Sequence, residues 1–169
     1  MTVSLPSAQL FMVCGKIGSG KSTLAQQLAS RHQALLIAED QWLAILYAGR
    51  QNSIAEYIEN AQRLRQAIAP QVINLLKMGV SVVLDFPLNT VNLRLWGKNL
   101  ADSSHCPHQL YYLNQPDEVC LQRLAQRNAT GQHPFQTSEQ QYFAISAYFV
   151  PPSEQEDLNC VEYRADKDK

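Results

Sequence analysis

A glycine-rich segment joins a short apolar run to a run with helical spacing near the start of this 169-residue chain. The apolar run is Leu10–Cys14, the glycine-rich segment covers residues 15–22, and leucine and alanine then recur at helical spacing to residue 31. Continuous apolar runs of this length are typical of strands that are buried on both faces of a parallel sheet. The sequence therefore predicts a buried strand that enters a helix through a tight turn.

Residues 15–22 read Gly-Lys-Ile-Gly-Ser-Gly-Lys-Ser and match the full pattern G-x-x-x-x-G-K-[ST] of a phosphate-binding loop. The alternative is an ordinary glycine-rich turn, but such a turn would not require the final lysine and serine. The glycines allow successive backbone N–H groups to point inward, and the N-terminus of the following helix adds partial positive charge. Lys21 is predicted to contact the β- and γ-phosphates of ATP, and the Ser22 hydroxyl to bind Mg²⁺. Lys16, inside the loop, is expected to point to solvent. The predicted nucleotide-binding residues are Gly15, Gly18, Ser19, Gly20, Lys21, Ser22 and Thr23.

Apolar and helical runs go on alternating along the chain. Further strands are predicted at residues 34–38, 80–84, 109–113 and 160–163, and further helices at residues 54–77, 93–101, 116–126 and 139–149. Pro70 is expected to kink or divide the longest helix, and Gly79 to cap its end. The alternation predicts a single α/β domain over residues 1–169, with three layers and a mainly parallel five-stranded sheet. Ligands of such sheets bind at the carboxyl ends of the strands.

Two carboxylates follow predicted strands at this edge. Asp85 ends the third apolar run and is predicted to bind Mg²⁺ directly or through water, with a cap of the next turn as the alternative. Asp40 comes two residues after the second run and is predicted to be the base that accepts a proton from an attacking hydroxyl. A helix N-cap is the alternative for Asp40, and the neighbouring Glu39 is the weaker candidate for the base.

Arg123 and Arg127 are four residues apart and therefore share one face of the helix predicted after the fourth strand. Arg127 enters the polar segment 128–138, which Gly131 and Pro134 interrupt and which is predicted to be a lid-like loop. Planar guanidinium groups suit the charge that spreads over a phosphoryl group during its transfer. Both arginines are therefore predicted to be catalytic residues of a lid, with a solvated cationic helix end as the alternative.

The composition of the chain argues against two classes of partner. A formal net charge of −1 gives no strong electrostatic signature for nucleic-acid binding. The apolar runs stay short of the roughly 18 residues that a membrane span needs, and no signal-peptide pattern opens the sequence. The four cysteines are far apart, without a C-x-x-C pair, which is typical of a reducing compartment. A cytoplasmic protein is therefore expected, and its oligomeric state stays open.

Together these residues resemble the small P-loop kinases of the zeta-toxin, chloramphenicol-phosphotransferase and polynucleotide-kinase type. The resemblance covers nearly the whole chain and rests on residues 15–25, Asp40, residues 82–86, Arg94, residues 112–118, Arg123, Arg127 and residues 149–154. It implies a three-layer P-loop NTPase fold like that of nucleoside-monophosphate kinases, with Lys21 and Ser22 holding ATP and Mg²⁺. It also implies that Asp40 is the base, that Asp85 lies at the metal or the acceptor, and that both arginines belong to the lid.

The leading hypothesis is an ATP-dependent kinase that phosphorylates a hydroxyl of an unidentified small molecule or nucleic-acid end. The alternative is a nucleotide-binding switch or accessory ATPase that acts through a protein partner. A guanine-specific switch is not indicated, because residues 114–117 read Asn-Gln-Pro-Asp and lack the lysine of an N-K-x-D motif. A nucleic-acid end-processing module would need a basic face near the acceptor, for which Arg50, Arg63 and Arg65 are the candidates.

Overall fold

The five predicted strands are present and form one sheet. In the computed structural model, which describes residues 7–132 and 136–164, they are β1 (Leu10–Cys14), β2 (Leu35–Ala38), β3 (Val82–Asp85), β4 (His108–Tyr112) and β5 (Cys160–Glu162). They lie in the order β2-β3-β1-β4-β5, and every neighbouring pair is parallel. Because parallel neighbours share one direction, all five strands end at the same edge of the sheet. The predicted sheet is confirmed, and it is parallel throughout rather than mainly parallel.

Helices connect these strands. The described residues form α1 (Lys21–His32), α2 (Glu39–Leu46), α3 (Ile54–Lys77), α4 (Val91–Ser104), α5 (Asp117–Thr130), α6 (Glu139–Ser146) and a short 3₁₀ helix, Glu154–Glu156. Ser53, Thr90 and Ser138 each accept a backbone N–H through the side chain and so fix the starts of α3, α4 and α6. Within the described ranges, no helix combines the length and the apolar character that crossing a membrane requires.

Alternate residues of β1 face opposite sides of the sheet and are buried on both. Leu10 and Met12 belong to a core that includes α3 and α4, whereas Phe11 and Val13 belong to a core that includes α1. All four side chains are at most 3% exposed. Burial on both faces explains why the sequence shows a continuous apolar run here rather than alternation. Helices on both sides of the parallel sheet confirm the predicted three-layer α/β fold.

The longest helix is not divided at Pro70, contrary to one of the predicted outcomes. α3 runs without interruption from Ile54 to Lys77. Pro70 is exposed, so the carbonyl that loses its hydrogen bond can bond to water, while Ile68 and Val72 on either side are buried. Burial of each of these two side chains stabilises the folded state by about 1.5–3 kcal/mol. Together they offset the roughly 3 kcal/mol that a proline inside a helix costs. Gly79 follows the helix with φ 86°, the left-handed conformation expected of a glycine there.

Three helices end three or more residues from the predicted positions, and the first of them, α4, ends at Ser104 rather than at residue 101. α5 continues to Thr130, so the first residues of the predicted lid-like segment 128–138 are helical. The helix stops only at Gly131, which has φ 63° and forms its C-cap. α6 ends at Ser146 rather than at residue 149. Residues 133–135 lie outside the described part of the chain, so the lid stays a prediction.

Candidate active site

The phosphate-binding loop and the two candidate carboxylates lie at the same edge of the sheet. The loop follows β1, Asp85 is the last residue of β3, and Asp40 lies in the first turn of α2, which begins directly after β2. β3 lies between β1 and β2, and Ala38 is aligned with Asp85 across the sheet. Parallel pairing therefore gathers residues that are far apart in the sequence, as the pattern of strands predicted.

Packing around the phosphate loop leaves no room for side chains at two of its glycines. Gly18 has φ 76°, and a Cβ there would collide with the backbone carbonyl of Cys120 on α5. A Cβ at Gly15 would lie 2.6 Å from the Oγ of Ser19. Ser19 is 1% exposed, and its Oγ has no hydrogen-bond partner among the described residues. A tight loop around a buried, unsatisfied hydroxyl fits a phosphate oxygen as its missing partner.

We expect Gly18→Ala to weaken ATP binding by about 10-fold or more and to lower the melting temperature, because a left-handed alanine costs about 1–2 kcal/mol and the methyl group also displaces α5 or the loop. Gly49→Ala is the matched control. Gly49 has φ 69°, and a Cβ there meets no atom within 4 Å, so this variant shares the backbone strain without the collision. Calorimetric titration with ATP and thermal melting measure both effects. Equal losses in the two variants would contradict the steric explanation.

The end of the loop forms the start of α1. Gly20, with φ 100°, is the N-cap, and Lys21, Ser22 and Thr23 form the first turn. The side chains of Ser22 and Thr23 are exposed at this helix N-terminus, where the helix dipole favours negative charge. The predicted nucleotide-binding residues are therefore contiguous around one anion-binding position.

Lys21 is turned towards the loop and the two carboxylates. Its Nζ donates hydrogen bonds to the carbonyl oxygens of Gly15 at 2.5 Å and of Lys16 at 2.8 Å. Burial lowers the pKa of Lys21 below its ordinary value, whereas the charges of Asp85 and Asp40 act to raise it. Because such effects decline with distance, both carboxylates lie near the ammonium group. The Lys21 ammonium group is thus bonded to the phosphate loop and within electrostatic range of the two carboxylates.

The prediction that Lys16 points to solvent is wrong. Its Nζ lies 2.7 Å from Oδ1 of Asp117 in the first turn of α5, and the Tyr142 hydroxyl of α6 donates to the same oxygen at 2.6 Å. Hydrogen bonds from Lys16 and Tyr142 hold the pKa of Asp117 below its ordinary value. Lys16 and Asp117 are 101 positions apart, so their pairing depends on the fold. The phosphate loop is therefore tied to the helices on either side of the predicted lid.

The two predicted lid arginines occupy different positions. Nη1 of Arg123 donates to the carbonyl oxygen of Ser19 at 2.9 Å and so holds the phosphate loop from the side of α5. Arg127 lies one turn further along and is half-buried. Burial lowers the pKa of Arg127, and the charge of Asp40 acts in the opposite direction. Arg123 therefore supports the loop, and Arg127 lies within electrostatic range of the candidate base.

Asp40 is not the N-cap of α2, because Ala38 occupies that position and Asp40 is the second residue of the helix. The charge of Asp40 acts on Lys21, on Arg127 and on Tyr57 of α3. These three groups belong to three different helices that meet at the carboxyl edge of the sheet. Asp40 therefore lies within electrostatic range of groups on α1, α3 and α5, and its role as the base stays a prediction.

Glu39, the weaker candidate for the base, is hydrogen-bonded to side chains of α3 instead. It is 1% exposed, and its two carboxylate oxygens accept hydrogen bonds from the Tyr57 hydroxyl at 3.0 Å and from Arg65 Nη1 at 3.2 Å. Burial raises the pKa of Glu39 to about 7, although Arg65 and Tyr57 act to lower it. Glu39 is buried whereas Asp40 is half-buried, so the geometry favours Asp40 over Glu39 for contact with an acceptor.

Glu39 makes the free energy of unfolding depend on pH. Its pKa rises from 4.5 to about 7 on folding, so the folded state binds more protons between these values. The stability from this group is complete at low pH and is lost as pH rises through about 7. We expect Glu39→Gln to gain stability relative to wild type between pH 5 and pH 8, by at most about 3 kcal/mol. Urea unfolding at both values measures this, with exposed Glu59→Gln as the control that should show no such gain.

Sequence reasoning gave no role to Asn89, which lies in the connection between β3 and α4. Its Oδ1 accepts the backbone N–H of Gly15 at 3.3 Å, and its carbonyl oxygen accepts the N–H of Val150 at 2.9 Å. Asn89 thus links the first glycine of the phosphate loop to the C-terminal part of the chain. No local pattern marks such a residue, because an asparagine in a loop is ordinary turn chemistry.

Arg94 is fully buried in α4 and holds residues 150–156, here called the C-terminal strap. It donates to the Val150 carbonyl at 2.9 Å and to the two carboxylate oxygens of Glu156 at 2.7 and 2.9 Å. Burial acts to raise the pKa of Glu156, but the hydrogen bonds from Arg94 prevail and lower it. Arg94 shares its helix face with buried Gly97 and Leu100. A charge on an apolar stripe is the signal that could have indicated a buried ion pair.

Ser22 and Asp85 are the candidates for holding Mg²⁺. Within residues 7–132 and 136–164, no three or more His, Cys, Asp or Glu side chains are grouped so that they could hold a metal. Magnesium commonly binds through one or two protein oxygens together with substrate phosphates and water. An exposed hydroxyl beside Lys21 and a carboxylate that acts on the same lysine fit this kind of site. The residues therefore suit a metal bound together with a nucleotide.

A parallel sheet in this strand order, with a glycine-rich phosphate loop after its central strand, defines a P-loop NTPase of the kinase-like type. A family model described as an AAA domain, AAA_33, matches residues 10–152. The chain belongs to this family, and the resemblance to small P-loop kinases is confirmed. A search of curated proteins gave no significant match.

Solved structures of similar fold include several kinases. A presumed kinase of Chloroflexus aurantiacus has a TM-score of 0.72 and 19% identity, over 98% of this chain and 91% of that one. Kti12 of Chaetomium thermophilum, solved with ADP-AlF3, has a TM-score of 0.71 and 18% identity, over 95% and 91% of the two chains. The Mycobacterium tuberculosis APS kinase CysC, solved with AMPPNP and APS, has a TM-score of 0.63 and 19% identity, over 97% and 91%. At these identities the likeness shows the fold.

Proposed function

We propose that the chain is a cytoplasmic ATP-dependent kinase that transfers the γ-phosphoryl group of ATP to a hydroxyl of a small molecule or nucleic-acid end. The proposal rests on the meeting of the phosphate loop, Lys21, Asp85 and Asp40 at one edge of the sheet. The kinases among proteins of similar fold support it. These comparisons do not favour the alternative of a nucleotide-dependent switch.

The proposed roles follow from position. The phosphate loop holds the β- and γ-phosphates, and Lys21 exchanges its bonds to loop carbonyls for bonds to phosphate oxygens. Ser22 and Asp85 would hold Mg²⁺, which when bound offsets negative charge on the phosphates. As the acceptor oxygen bonds to the γ-phosphorus and the bond to the β–γ bridging oxygen breaks, Asp40 accepts the hydroxyl proton and ADP leaves. Arg123 and Arg127 would stabilise the transferring group.

A direct test follows phosphoryl transfer from γ-labelled ATP to panels of alcohols, sugars, nucleosides and oligonucleotides with free 5′-hydroxyl ends. We expect one class to stimulate ADP release well above the rate with water alone, together with label in the acceptor. Tight ATP binding without transfer to any member of the panels would contradict the proposal and favour the switch.

Asp85→Asn should raise the Mg²⁺ concentration for half-maximal turnover by about 10-fold while changing nucleotide binding without Mg²⁺ little. The amide is similar in size to the carboxylate but does not offset the charge of the metal. A Mg²⁺ titration of turnover, beside a titration with ATP in EDTA, separates the two effects. Asp102→Asn on α4, an exposed partner of Lys98, is the control. An unchanged Mg²⁺ midpoint would reduce Asp85 to a structural residue at the end of β3.

A further inference from the structure

α6 has a single buried side chain. Tyr142 is 0% exposed, whereas the other residues of α6 are exposed apart from the half-buried Ser146. Tyr142 belongs to a small apolar cluster with Cys120 and Leu124 of α5, which is separate from the two cores on the faces of the sheet. An element with so few buried contacts opens more easily than the core of a domain. The docking of α6 therefore depends on the contacts of Tyr142.

These contacts reach the phosphate loop in two ways. Ile17, which lies inside the loop, packs against the apolar cluster around Tyr142. Beside it, Oδ1 of Asp117 accepts one hydrogen bond from Nζ of Lys16 at 2.7 Å and another from the Tyr142 hydroxyl at 2.6 Å. One carboxylate oxygen therefore joins α6 to the phosphate loop. We define the loop clamp as Lys16, Asp117 and Tyr142.

The two hydrogen bonds of the loop clamp support each other through the shared carboxylate. Both lower the pKa of Asp117, so the carboxylate is ionised at neutral pH and both bonds are charge-assisted. The Tyr142 hydroxyl fixes the carboxylate, and Lys16 then bonds to an acceptor that is already oriented. The carbonyl of Lys16 in turn accepts a hydrogen bond from Nζ of Lys21 at 2.8 Å. The clamp therefore leads from α6 to the lysine that is predicted to contact the phosphates.

Other contacts hold the phosphate loop independently of the clamp. Asn89 accepts the backbone N–H of Gly15, and Arg123 donates to the carbonyl oxygen of Ser19. These two contacts lie on either side of Lys16 in the sequence and involve neither α6 nor Asp117. Loss of the clamp should therefore loosen the loop around Lys16 without unfolding it, and its effect should be visible in ATP affinity.

We propose that Asp117 and Tyr142 are positioning residues for ATP, which act through Lys16 to hold the phosphate loop in the conformation that receives the phosphates. Because the same contacts dock α6, ATP binding and the docking of α6 favour each other, as linkage between two equilibria requires. The proposal rests on the nucleotide-binding step of the proposed function. It does not depend on the acceptor or on phosphoryl transfer.

Calorimetric titration with ATP and Mg²⁺ tests the proposal on three variants. Tyr142→Phe removes the hydroxyl and keeps the ring in its cluster, and we expect it to raise the Kd for ATP by about 5-fold. Asp117→Ala removes the shared acceptor and should raise the Kd by about 10-fold. The double variant should bind ATP no more weakly than Asp117→Ala, because the Tyr142 hydroxyl acts through that carboxylate.

Two control variants separate the clamp from neighbouring effects. Tyr148→Phe removes a hydroxyl just beyond α6, at a side chain that is 78% exposed. Glu118→Ala removes the other acidic side chain from the first turn of α5 and so measures the contribution of the helix dipole. Both should bind ATP as the wild type does. Thermal melting of every variant establishes that the titrations are made on folded protein.

Hydrogen exchange of the α6 amides tests the reciprocal effect, which a purely structural role of Tyr142 would not produce. ATP should slow exchange in residues 139–146 of the wild type by about 5-fold, and should slow it less in Tyr142→Phe.

Three results would overturn the clamp and leave the kinase function standing: additive losses in the double variant, unchanged ATP affinity in both single variants, or exchange in α6 that ATP does not slow. The expected clamp effects without phosphoryl transfer to any acceptor would support the clamp and contradict the kinase function. A folded wild type that does not bind ATP would overturn both.

Discussion

Lys21→Ala will lower ATP-dependent turnover by about 10³-fold or more in a protein that remains folded, since a single lost contact to transition-state charge costs about 10²–10³-fold and Lys21 also holds the loop. Its ammonium group donates hydrogen bonds to the Gly15 and Lys16 carbonyls, and its side chain fills no part of the apolar core. Steady-state ADP release and thermal melting should be measured on the same preparation.

Lys98→Ala is the matched control for this variant. Lys98 pairs with Asp102 at 2.8 Å on the surface of α4, and exposed pairs of this kind contribute about 0–1 kcal/mol. It should leave both turnover and melting temperature close to the wild-type values. If Lys21→Ala kept most of its activity at an unchanged melting temperature, the phosphate loop would not be the catalytic nucleotide site.

Asp40→Asn should reduce acceptor-dependent turnover by about 10²-fold or more, the range expected for the loss of a general base, while ATP affinity stays within a few-fold of wild type. Asp40 lies in the first turn of α2, beyond the end of β2, and so on the acceptor side rather than in the phosphate loop. Asparagine keeps the size of the side chain but cannot accept the hydroxyl proton. Turnover with the best acceptor and calorimetric ATP binding provide the two readings.

Glu39→Gln is the informative comparison, because it neutralises the adjacent carboxylate. Glu39 is engaged by Tyr57 and Arg65, so this change should affect the pH dependence of stability more than turnover. Parallel losses of ATP affinity and turnover in Asp40→Asn would instead make Asp40 a support of the nucleotide site. Full activity in Asp40→Asn would require another base, with Glu39 the first candidate.

The sheet could be predicted from the sequence because strands buried on both faces leave a continuous apolar run, as at Leu10–Cys14. The phosphate loop could be predicted because its glycines and lysine follow one another in the chain. Asp85 and Asp40 could be located because parallel strands end at a common edge. In each case the information is local, or follows from a simple rule of sheet geometry. Their catalytic roles stay predictions.

The remaining features depend on contacts between distant parts of the chain. Lys16 can form its hydrogen bond to Asp117, and Asn89 its hydrogen bond to Gly15, only once β1, β3 and β4 lie side by side. Local propensity predicts that Pro70 breaks the helix, yet α3 continues past it because neighbouring apolar residues are buried. Tertiary packing therefore determines each of these features, which local sequence propensity does not predict.

The C-terminal strap sets an order of events during synthesis on the ribosome. The carboxylate partner of Arg94 is Glu156, which lies 62 positions later in the chain. A nascent chain that ends before the strap would therefore bury the Arg94 guanidinium group without its partner. Such a loss costs about 3–5 kcal/mol, a large share of the roughly 5–15 kcal/mol that stabilises a domain. The phosphate loop is translated first, but its brace through Asn89 and Val150 is completed only once Val150 has been translated. A premature stop codon shortly before Val150 would therefore weaken the phosphate loop although residues 15–22 themselves were intact.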